Sequence, residues 1–582
     1  MKGMITMAGL MLGNQAVARG LYEAGVEFVS SYPGTPSTEI TEFASTYPKE
    51  EMYTEWAPNE KVACEGAIGA SIAGVRAFCA MKHVGLNVAA DPLYTASYIG
   101  VNGGLVIAVA DDQGMHSSQN EQDSRNHAIG SKVPMIEPSD SGECKEFVKT
   151  AFDISEQFDT PVIFRLSTRV AHSQSVVKEE ERKTVRHEYS KDPHKNIMTP
   201  ANAKPKHVLV EERTKKLREY AETSPLNRVE MYGTDIGIIT NGAAYNYARE
   251  ALGEKASYLK LGMVNPLPVK LIKDFAAKVK KLYVVEELDD VIETHCRKIG
   301  LDPIGKELFT FIGEYSQTYI REKILGEKNE YVQLEDTIPV RPPVMCAGCP
   351  HRGVFYVLKK LGVFVSGDIG CYTLGSAAPL EAMDTTVCMG ASISGLHGFN
   401  KAMKGTYEDK AVAVIGDSTF IHSGITGLIN IAYNRTNSTV IVLDNSITGM
   451  TGHQNNPANG KNIYGDPAAA VDLEALCRAV GIDRVTVVDP ADLAETERVI
   501  KEELAAQAPS VIIARRPCAL LKTTKHKPAF RVDAEKCRSC KSCMKIGCPA
   551  ISMADGKAAV DNTLCVGCGL CVQMCRFDAI KE

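Results

Sequence analysis

The chain has 582 residues, of which 44% are hydrophobic and 23% charged, and its formal net charge is −6. This length predicts about four domains of roughly 150 residues each, and the negative charge argues against a basic surface that binds nucleic acid. A membrane span is excluded because no run of about 20 apolar residues occurs, and the 18 cysteines indicate a reducing cytoplasm and not a disulfide scaffold. The first 25 residues predict a strand entering a helix and not a signal peptide.

Residues 1–180 alternate apolar strands with helices, which predicts an α/β domain with a parallel sheet. The stretch YPGTPSTE, with Thr35 at its centre, is rich in turn formers. Glu60 then begins a helix crowded with glycine and alanine, although each glycine costs about 1 kcal/mol of helix propensity. These small residues predict the close approach of a backbone or a cofactor ring. From the residues alone, Glu60 could simply favour the helix dipole, and Thr35 could simply form a turn.

A polar loop, DDQGMHSSQNEQDSR, follows the apolar strand from Leu105 to Ala110. Loops at strand ends often carry substrate contacts. The side chains in this region that can contact an anion or a cofactor are Lys82, His83, Asn87, His116, Ser118, Gln119 and Arg125. Of these we predict His116 and Arg125 as substrate contacts, with solvated loop residues as the alternative.

The middle of the chain predicts a connection and a compact domain. Residues 181–232 contain a charged stretch and a helix near 207–222, which predict a linker. Residues 233–330 alternate strands and helices and resemble the third domain of transketolase-like enzymes. The two glutamates of VVEE stand at a strand end there and receive no predicted role. A polar connection then leads to a further domain, residues 340–525.

Segment 411–454 predicts a strand, a Gly-Asp-Ser turn, a helix, a second strand and a polar loop. Asp417 follows the first strand and Asn445 the second, so both side chains converge at the carboxyl edge of a parallel sheet. A carboxylate, an amide oxygen and phosphate oxygens suit Mg²⁺. The pattern resembles the thiamine-diphosphate motif, with Ser418 where that motif has glycine. The resemblance implies that Asp417, Asn445 and the carbonyl of Ile447 hold the metal.

Residues 528–582 contain two cysteine arrays, each with three cysteines in one loop and a fourth further along. In two-cluster ferredoxins the fourth cysteine ligates the cluster of the other half. We therefore predict one 4Fe-4S cluster on Cys537, Cys540, Cys543 and Cys575, and another on Cys548, Cys565, Cys568 and Cys571. A pair of zinc sites is the alternative, and the CxxCxxC triplets disfavour it. Four residues separate Cys543 from Cys548 where three are usual.

Other loops of the 340–525 domain resemble the cofactor domain of pyruvate:ferredoxin oxidoreductases and their relatives. The resemblance implies a third cluster, near thiamine, on Cys346, Cys349, Cys371 and Cys518. A buried strand-end thiol is the alternative for Cys518. By the same resemblance and the thiamine motif, the cofactor is lined by Gly348, His351, Arg352, Asp368, Gly370, Gly390, Ala391, Ser392, Gly416, Asp417, Ser418, Thr419, Asn445, Met450, Thr451 and His453.

The order of the parts resembles the larger subunits of 2-oxoacid:ferredoxin oxidoreductases of the indolepyruvate type over essentially the whole chain. This implies an α/β fold with two doubly wound thiamine-diphosphate-binding domains, a transketolase C-terminal-like domain and a two-cluster ferredoxin domain. It further implies that Glu60 activates the aminopyrimidine of thiamine and that Thr35 contacts the 2-oxoacid carboxylate.

The implied reaction is the oxidative decarboxylation of an aryl 2-oxoacid with coenzyme A to an aryl-acetyl-CoA and CO₂, with electrons passing to an external ferredoxin. The implied partner is a smaller subunit in an α2β2 heterotetramer. Two alternatives stay open: a non-oxidative thiamine-dependent decarboxylase, and an electron-relay subunit of a larger complex. The ferredoxin tail argues against the first, and the presence of Glu60, Asp417 and Asn445 argues against the second.

Overall fold

The structure is a computed structural model that describes residues 8–328, 334–335 and 337–582. The chain divides into two compact units, Met1–Leu334 and Glu335–Glu582. The alternation of strands and helices is that of an α/β protein, as predicted. Among the helices that the structure describes, none combines the length and the apolar character needed to cross a bilayer.

The strands of the first unit are β1 (Ala8–Leu12), β2 (Phe28–Ser31), β3 (Tyr53–Trp56), β4 (Ala77–Lys82), β5 (Leu105–Asp111), β6 (Met135–Ile136), β7 (Val162–Ser167), β8 (Gln174–Lys178), β9 (Arg228–Glu230), β10 (Ile236–Asn241), β11 (Ser257–Leu261), β12 (Met263–Asn265) and β13 (Lys281–Val285). Its helices are α1 (Gly13–Glu23), α2 (Thr38–Ala44), α3 (Glu60–Ile72), α4 (His83–Val88), α5 (Ala90–Ile99), α6 (Arg125–Ser131), α7 (Ser141–Phe158), α8 (Thr168–His172), α9 (Pro193–Asn196), α10 (Pro200–Thr223), α11 (Gly242–Leu252), α12 (Val269–Ala276), α13 (Val291–Lys298) and α14 (Gln317–Leu325).

The largest sheet of this unit has the order β12-β6-β7-β5-β4-β2-β3 and is parallel except at the β12 edge. Every residue of β5 is buried, which is typical of a parallel strand covered on both faces. Its side chains alternate between two cores: Val106 joins the cluster that includes Phe152 of α7, and Ile107 joins the cluster that includes Leu93 of α5. The continuous apolar sequence of this strand follows from that double burial.

A second sheet of the first unit has the order β13-β10-β11-β9. Strands β10, β11 and β13 are parallel, and β9 is antiparallel to β11. The sequence predicts that the domain at 233–330 is separate from the domain at 1–180. In the structure, β12 directly follows β11 of the second sheet in the chain, but it pairs antiparallel with β6 and so extends the first sheet. The connection between the two predicted domains contains the long helix α10.

The strands of the second unit are β14 (Phe364–Ser366), β15 (Ala411–Gly416), β16 (Thr439–Asp444), β17 (Arg484–Val488), β18 (Ser510–Arg515), β19 (Arg531–Val532), β20 (Ile551–Ala554), β21 (Lys557–Val560) and β22 (Ile580–Lys581). Its helices are α15 (His351–Leu361), α16 (Ala391–Ala402), α17 (Asp417–Thr419), α18 (Ile425–Tyr433), α19 (Leu473–Ala479), α20 (Leu493–Ala505) and α21 (Leu570–Gln573). A parallel sheet in the order β14-β15-β16-β18-β17 forms its centre. The two cysteine arrays lie in a small region with two antiparallel strand pairs, β19 with β22 and β20 with β21.

Candidate active site and cluster sites

The carboxyl edge of the central sheet in the second unit carries Asp417 and Asn445. Strand β15 ends at Gly416 and β16 ends at Asp444, so the next residue of each chain segment emerges at the same edge. The two loops are tied together, because the Asp417 carboxylate accepts a hydrogen bond from the Ser446 N–H at 2.9 Å and the Thr448 hydroxyl bonds the Ser418 hydroxyl at 3.0 Å. The predicted βαβ unit is therefore present.

The Asp417 carboxylate is buried at this edge and has no cationic partner among the hydrogen bonds that the structure describes. Burial, followed by the charge of Asp444, raises the pKa of Asp417 to about 7. A bound divalent cation would favour its charged form. Asn445 precedes Ser446, and its amide contacts His351 Nε2 at 3.3 Å. Burial lowers the pKa of His351 to about 4, so the ring is neutral. These donors fit Mg²⁺ held by Asp417, Asn445 and the Ile447 carbonyl.

The Asp368 carboxylate is buried and connects the loops around this edge by hydrogen bonds. It accepts hydrogen bonds from the backbone N–H groups of Gly390 at 2.9 Å and Ser392 at 3.0 Å, at the start of α16. Thr419 donates to the Ile369 carbonyl at 3.1 Å and so joins this loop to the Asp417 turn. Gly370 permits the loop, because a Cβ there would lie 2.4 Å from the ring of Tyr372. The predicted loop residues from 368 to 392, including Ala391, are thus near one another.

The loop after β16 supplies the other predicted diphosphate contacts. The Thr451 hydroxyl donates to Gln454 Oε1 at 2.5 Å, which holds the loop closed, while Met450 is about half exposed at 51%. His453 has its Nε2 atom 3.9 Å from Cys518 Sγ. This loop therefore reaches one of the cysteines of the predicted third cluster.

The four cysteines of that predicted cluster lie together at the same edge. The thiol of Cys346 interacts electrostatically with those of Cys349, Cys371 and Cys518. Cys518 follows β18, and its N–H donates to the carbonyl of Asn445 at 3.0 Å. Burial raises the pKa of Cys349 to about 12 and that of Cys371 to about 11, so burial alone disfavours their thiolate forms. Metal ligation requires thiolates, and the positive charge of bound iron would stabilise them. The set fits an iron–sulfur cluster close to Asp417.

Two cavities in the ferredoxin region are lined by cysteines. One is lined by Cys548, Cys565, Cys568 and Cys571, and the other by Cys537, Cys540, Cys543 and Cys575. These are the two predicted sets, with the fourth cysteine of each array in the cavity of the other. Among the described residues, no three histidine, cysteine or carboxylate side chains are close enough to share one metal ion. The cysteines surround cavities instead, which suits clusters with one thiolate per iron.

The placement of Arg352 corrects its prediction as a thiamine-diphosphate contact. The guanidinium is buried, and it donates to the carbonyl groups of Met345, Cys346, Ile546 and Gly547. It therefore joins the Cys346 loop to the ferredoxin region. Gly348 takes part in the same contact, because its φ is +69° and a Cβ there would lie 2.2 Å from Val566.

In the first unit, the carboxyl ends of three parallel strands bring together two predicted site residues, Thr35 and Glu60, and one further cation, Lys82. Thr35 follows β2, Glu60 follows β3, and Lys82 ends β4. Asn59 caps α3 by accepting the Val62 N–H at 2.9 Å, which fixes Glu60 at the first helical position. The Glu60 carboxylate packs on α4, where a Cβ on Gly85 would lie 2.7 Å from its Oε1 atom. Glu60 is thus buried at the sheet edge.

Lys82 is a cation at this edge that the sequence analysis considered and did not retain. Its side chain runs along the turn that contains Thr35, because a Cβ on Gly34 would lie 3.3 Å from Lys82 Cγ. Its Nζ donates to the Ser117 carbonyl at 2.9 Å, and the Ser117 hydroxyl bonds the Thr35 carbonyl at 3.2 Å. Burial lowers the pKa of Lys82, and the charges of Asp112 and Glu60 oppose that shift.

Arg125 is not available to a substrate, contrary to its predicted role. The side chain has no exposed surface, and its three nitrogens bond Asp123, Glu286 and the carbonyls of Glu287 and Asp289. It joins the two sheets of the first unit and gives Glu286, one of the glutamates of VVEE, a structural partner. His116 lies in the exposed loop after β5, with Nε2 3.0 Å from Glu314.

Models of three protein families match the chain. "Pyruvate flavodoxin/ferredoxin oxidoreductase, thiamine diP-bdg" matches residues 19–226, "Thiamine pyrophosphate enzyme, C-terminal TPP binding domain" matches 368–514, and "4Fe-4S binding domain" matches 558–581. The first of these matched ranges contains Glu60, the second contains Asp417 and Asn445, and the third lies in the ferredoxin region. Fold and sites define a thiamine-diphosphate- and iron–sulfur-binding enzyme of ferredoxin-linked 2-oxoacid oxidative decarboxylation.

The particular family follows from full-length relatives. Indolepyruvate oxidoreductase subunit IorA of Archaeoglobus fulgidus is 40% identical over 607 residues, covering 98% of this chain and 97% of that protein. The protein of the same name from Thermococcus kodakarensis is 41% identical over 625 residues, covering 98% and 96%. The chain belongs to this family of indolepyruvate oxidoreductase subunits. The solved 2-oxoglutarate:ferredoxin oxidoreductase from Magnetococcus marinus, with 2-oxoglutarate, coenzyme A and succinyl-CoA bound, aligns with a TM-score of 0.47 at 20% identity over 55% of this chain and 65% of that chain.

Proposed function

We propose that the chain is the catalytic subunit of an enzyme that oxidatively decarboxylates aryl 2-oxoacids, such as indolepyruvate and phenylpyruvate. The second substrate is coenzyme A, and the products are an aryl-acetyl-CoA and CO₂, with electrons passing to an external ferredoxin. The aryl substrate class rests on the names of the relatives, IorA of Archaeoglobus fulgidus and of Thermococcus kodakarensis.

One observation carries the oxidative part of this proposal. The Cys518 N–H donates to the Asn445 carbonyl at 3.0 Å, so a proposed cluster ligand is hydrogen-bonded to a proposed metal ligand of the thiamine site. The Cys518 thiol also interacts electrostatically with Asp417. A non-oxidative decarboxylase transfers no electrons out of the active site and so requires no cluster ligands at that position. An electron-relay subunit binds no thiamine diphosphate and so does not require Asp417 and Glu60 at buried sheet edges.

The chain's own residues act on the cofactor and its metal. Thiamine diphosphate supplies a carbon nucleophile and an electron sink when it is bound. Asp417, Asn445 and the Ile447 carbonyl would hold Mg²⁺, which neutralises the diphosphate charge. The surrounding loops, with Gly416, Ser418, Thr419, Gly390, Ser392, Thr451 and His453, would line the diphosphate.

We further propose three 4Fe-4S clusters in this chain. Two are in the ferredoxin region, and the third is on Cys346, Cys349, Cys371 and Cys518. Supporting the third cluster, the thiol of Cys346 is an electrostatic neighbour of the other three. The separate placement of Cys388, which is exposed, leaves it outside this set.

Replacing Cys518 with serine is expected to remove about four irons per chain, since each such cluster depends on four thiolates. The EPR signals of the reduced ferredoxin clusters should remain. Iron analysis and EPR of the anaerobic protein check this, with Cys388→Ser as the matched control that keeps all its iron. Equal iron in wild type and Cys518→Ser would remove the third cluster from the proposal.

On the substrate side we propose Lys82 and Thr35 as contacts of the 2-oxoacid carboxylate, with His116 as a further loop contact. We propose Lys82 in this role instead of Arg125, because the Arg125 guanidinium forms buried ion pairs with Asp123 and Glu286. The ammonium of Lys82 lies at the sheet edge beside the Thr35 turn, and its electrostatic neighbours include Glu60. A cation there would orient the carboxylate that leaves as CO₂.

Replacing Lys82 with methionine keeps an unbranched side chain of similar shape, one atom shorter, and removes its charge. A lost charge-assisted hydrogen bond is worth about 1.5–3 kcal/mol, so KM for the 2-oxoacid should rise roughly 10- to 100-fold. Steady-state kinetics with indolepyruvate measure this change, while thiamine content should stay at the wild-type level. Lys61→Met, on the exposed face of α3, is the control. A wild-type KM in Lys82→Met would contradict the assignment.

The enzyme would require a partner. The relatives are named as subunits, and we propose a smaller second subunit in an α2β2 heterotetramer. We propose a reducing cytoplasm as the location of the enzyme, which suits a chain in which none of the described cysteines forms a disulfide. Size-exclusion chromatography with multi-angle scattering of the co-expressed subunits measures the assembly.

The decisive experiment is the reduction of ferredoxin or viologen by the anaerobic two-subunit enzyme with indolepyruvate, with and without coenzyme A. We expect reduction that depends on coenzyme A. Aldehyde release without reduction would favour the non-oxidative decarboxylase. Full iron content without bound thiamine would favour the electron-relay alternative.

A further inference from the structure

A buried arginine lies between the loop of the proposed third cluster and the ferredoxin region. Arg352 is only 2% exposed, at the start of α15. Its Nε donates to the Cys346 carbonyl at 3.2 Å and Nη2 donates to the Met345 carbonyl, on the side of the third cluster. Its Nη1 donates to the Ile546 carbonyl at 3.1 Å and to the Gly547 carbonyl, one residue before Cys548. One side chain therefore holds both cysteine loops.

Within residues 8–328, 334–335 and 337–582, the charge of Arg352 has no carboxylate counterpart. Among the ion pairs of the described residues none involves Arg352, and its hydrogen-bond acceptors are backbone carbonyls. Its electrostatic neighbours are the thiols of Cys346, Cys349, Cys548 and Cys568, which belong to the two different sets. A buried cation needs a compensating negative charge. Four thiolates on a 4Fe-4S core provide a net negative charge on each side.

The two loops also pack directly on each other. The cavity enclosed by Cys548, Cys565, Cys568 and Cys571 is lined in addition by Ala347, Gly348 and Arg352. The backbone of Gly348 approaches so closely that a Cβ there would lie 2.2 Å from Val566. No other charged side chain lines this cavity among the described residues.

We infer that Arg352 is a positioning residue that couples the proposed third cluster to the Cys548 cluster, by holding their loops together and by stabilising the transferred electron. This inference rests on the proposed function, in particular on the third cluster. In the step concerned, one electron would pass from a reduced cluster held by the Cys346 set, which would be oxidised, to an oxidised cluster held by the Cys548 set, which would be reduced. No proton or bond is exchanged. Because Arg352 lines the cavity of the Cys548 set, its charge would stabilise the added electron there and raise the reduction potential of the acceptor.

The test compares Arg352→Gln with Arg352→Lys in the anaerobic two-subunit enzyme. In Arg352→Gln, an EPR-monitored redox titration should show the Cys548 cluster shifted to a more negative potential, with iron and thiamine contents unchanged. Arg352→Lys keeps the charge and should titrate close to wild type. Arg531→Gln removes an exposed arginine of β19 and is the control that should leave the potentials unchanged.

Several outcomes would overturn the inference. Wild-type potentials in an iron-replete Arg352→Gln variant would do so, as would equal shifts in Arg352→Lys and Arg352→Gln, because charge would then not be the cause. If Arg352→Gln loses iron, the test depends on iron-replete Arg352→Lys. A shifted potential in Arg352→Lys would contradict the role of charge, and a wild-type potential in that variant would support it. A wild-type enzyme with about eight irons instead of about twelve would contradict the third cluster and this inference together. Failure in the variants alone leaves the proposed function standing.

Discussion

Replacing Asp417 with alanine is expected to abolish the retention of thiamine diphosphate and Mg²⁺. Asp417 is the one carboxylate of the proposed metal site, and the remaining donors, the Asn445 amide and the Ile447 carbonyl, are neutral oxygens. Substituting even a supporting group of a metal site costs about 10- to 100-fold in affinity, and removal of the charged ligand should cost at least that much. Cofactor content after desalting and calorimetric titration with thiamine diphosphate and Mg²⁺ provide the measurement.

The control for this variant is Asp489→Ala, which removes a carboxylate of the same unit that pairs with Arg516 at its surface. It should bind the cofactor normally. Iron content and the ferredoxin EPR signals should be unaffected in Asp417→Ala, because the cysteine sets do not depend on this carboxylate. Full cofactor content in Asp417→Ala would show that the metal is held elsewhere.

Replacing Glu60 with glutamine is expected to leave cofactor content unchanged and to slow turnover by about 10²- to 10⁴-fold, the usual contribution of a positioned acid–base group. The proposed role of Glu60 is to hold a proton at its carboxyl oxygen, shared with a ring nitrogen of the bound cofactor. A glutamine amide keeps the size and the hydrogen bond but cannot exchange that proton. The rate of hydrogen–deuterium exchange at the thiazolium carbon, followed by NMR, isolates this step from electron transfer.

The matched control is Glu65→Gln, in the same helix α3 but on its exposed side, where it pairs with Lys61. It should turn over at the wild-type rate. If Glu60→Gln exchanged and turned over normally, another carboxylate would have to perform the proton exchange. Asp112, which follows β5 at the same edge, would then be examined first.

Motifs that are contiguous in sequence could be predicted well. The strand ends before Asp417 and Asn445 follow from short apolar runs bounded by polar residues, and the structure has those strands as β15 and β16. The helix that begins at Glu60 was predicted from its composition, and the Asn59 cap stabilises that start. The cysteine sets of the ferredoxin region also follow from spacing, because the exchange of the fourth cysteine is a property of the motif.

The choice among the charged residues could not be predicted in this way. Arg125 follows a polar loop and Lys82 ends an apolar strand, and the loop before Arg125 gives no sign of burial. In the structure, Glu286 lies 161 residues away in sequence and is the partner of Arg125, so the guanidinium is withdrawn into the interior. Lys82 remains at the sheet edge because its stem packs along the turn at Gly34.

The sequence by itself determined the class of each site, since the Asp417 and Asn445 metal motif lies in one strand–helix–strand unit and three cysteines of each ferredoxin set lie in one loop. Only the tertiary structure decided which residues serve between such units. The resemblance to the cofactor domain implies that Arg352 is a cofactor contact, but its acceptors at Ile546 and Gly547 are 194 and 195 residues away. Strand β12 likewise joined the first sheet by pairing with β6. The physical reason is that burial and charge pairing depend on contacts distant in sequence, whereas local patterns report only the backbone and its nearest turns.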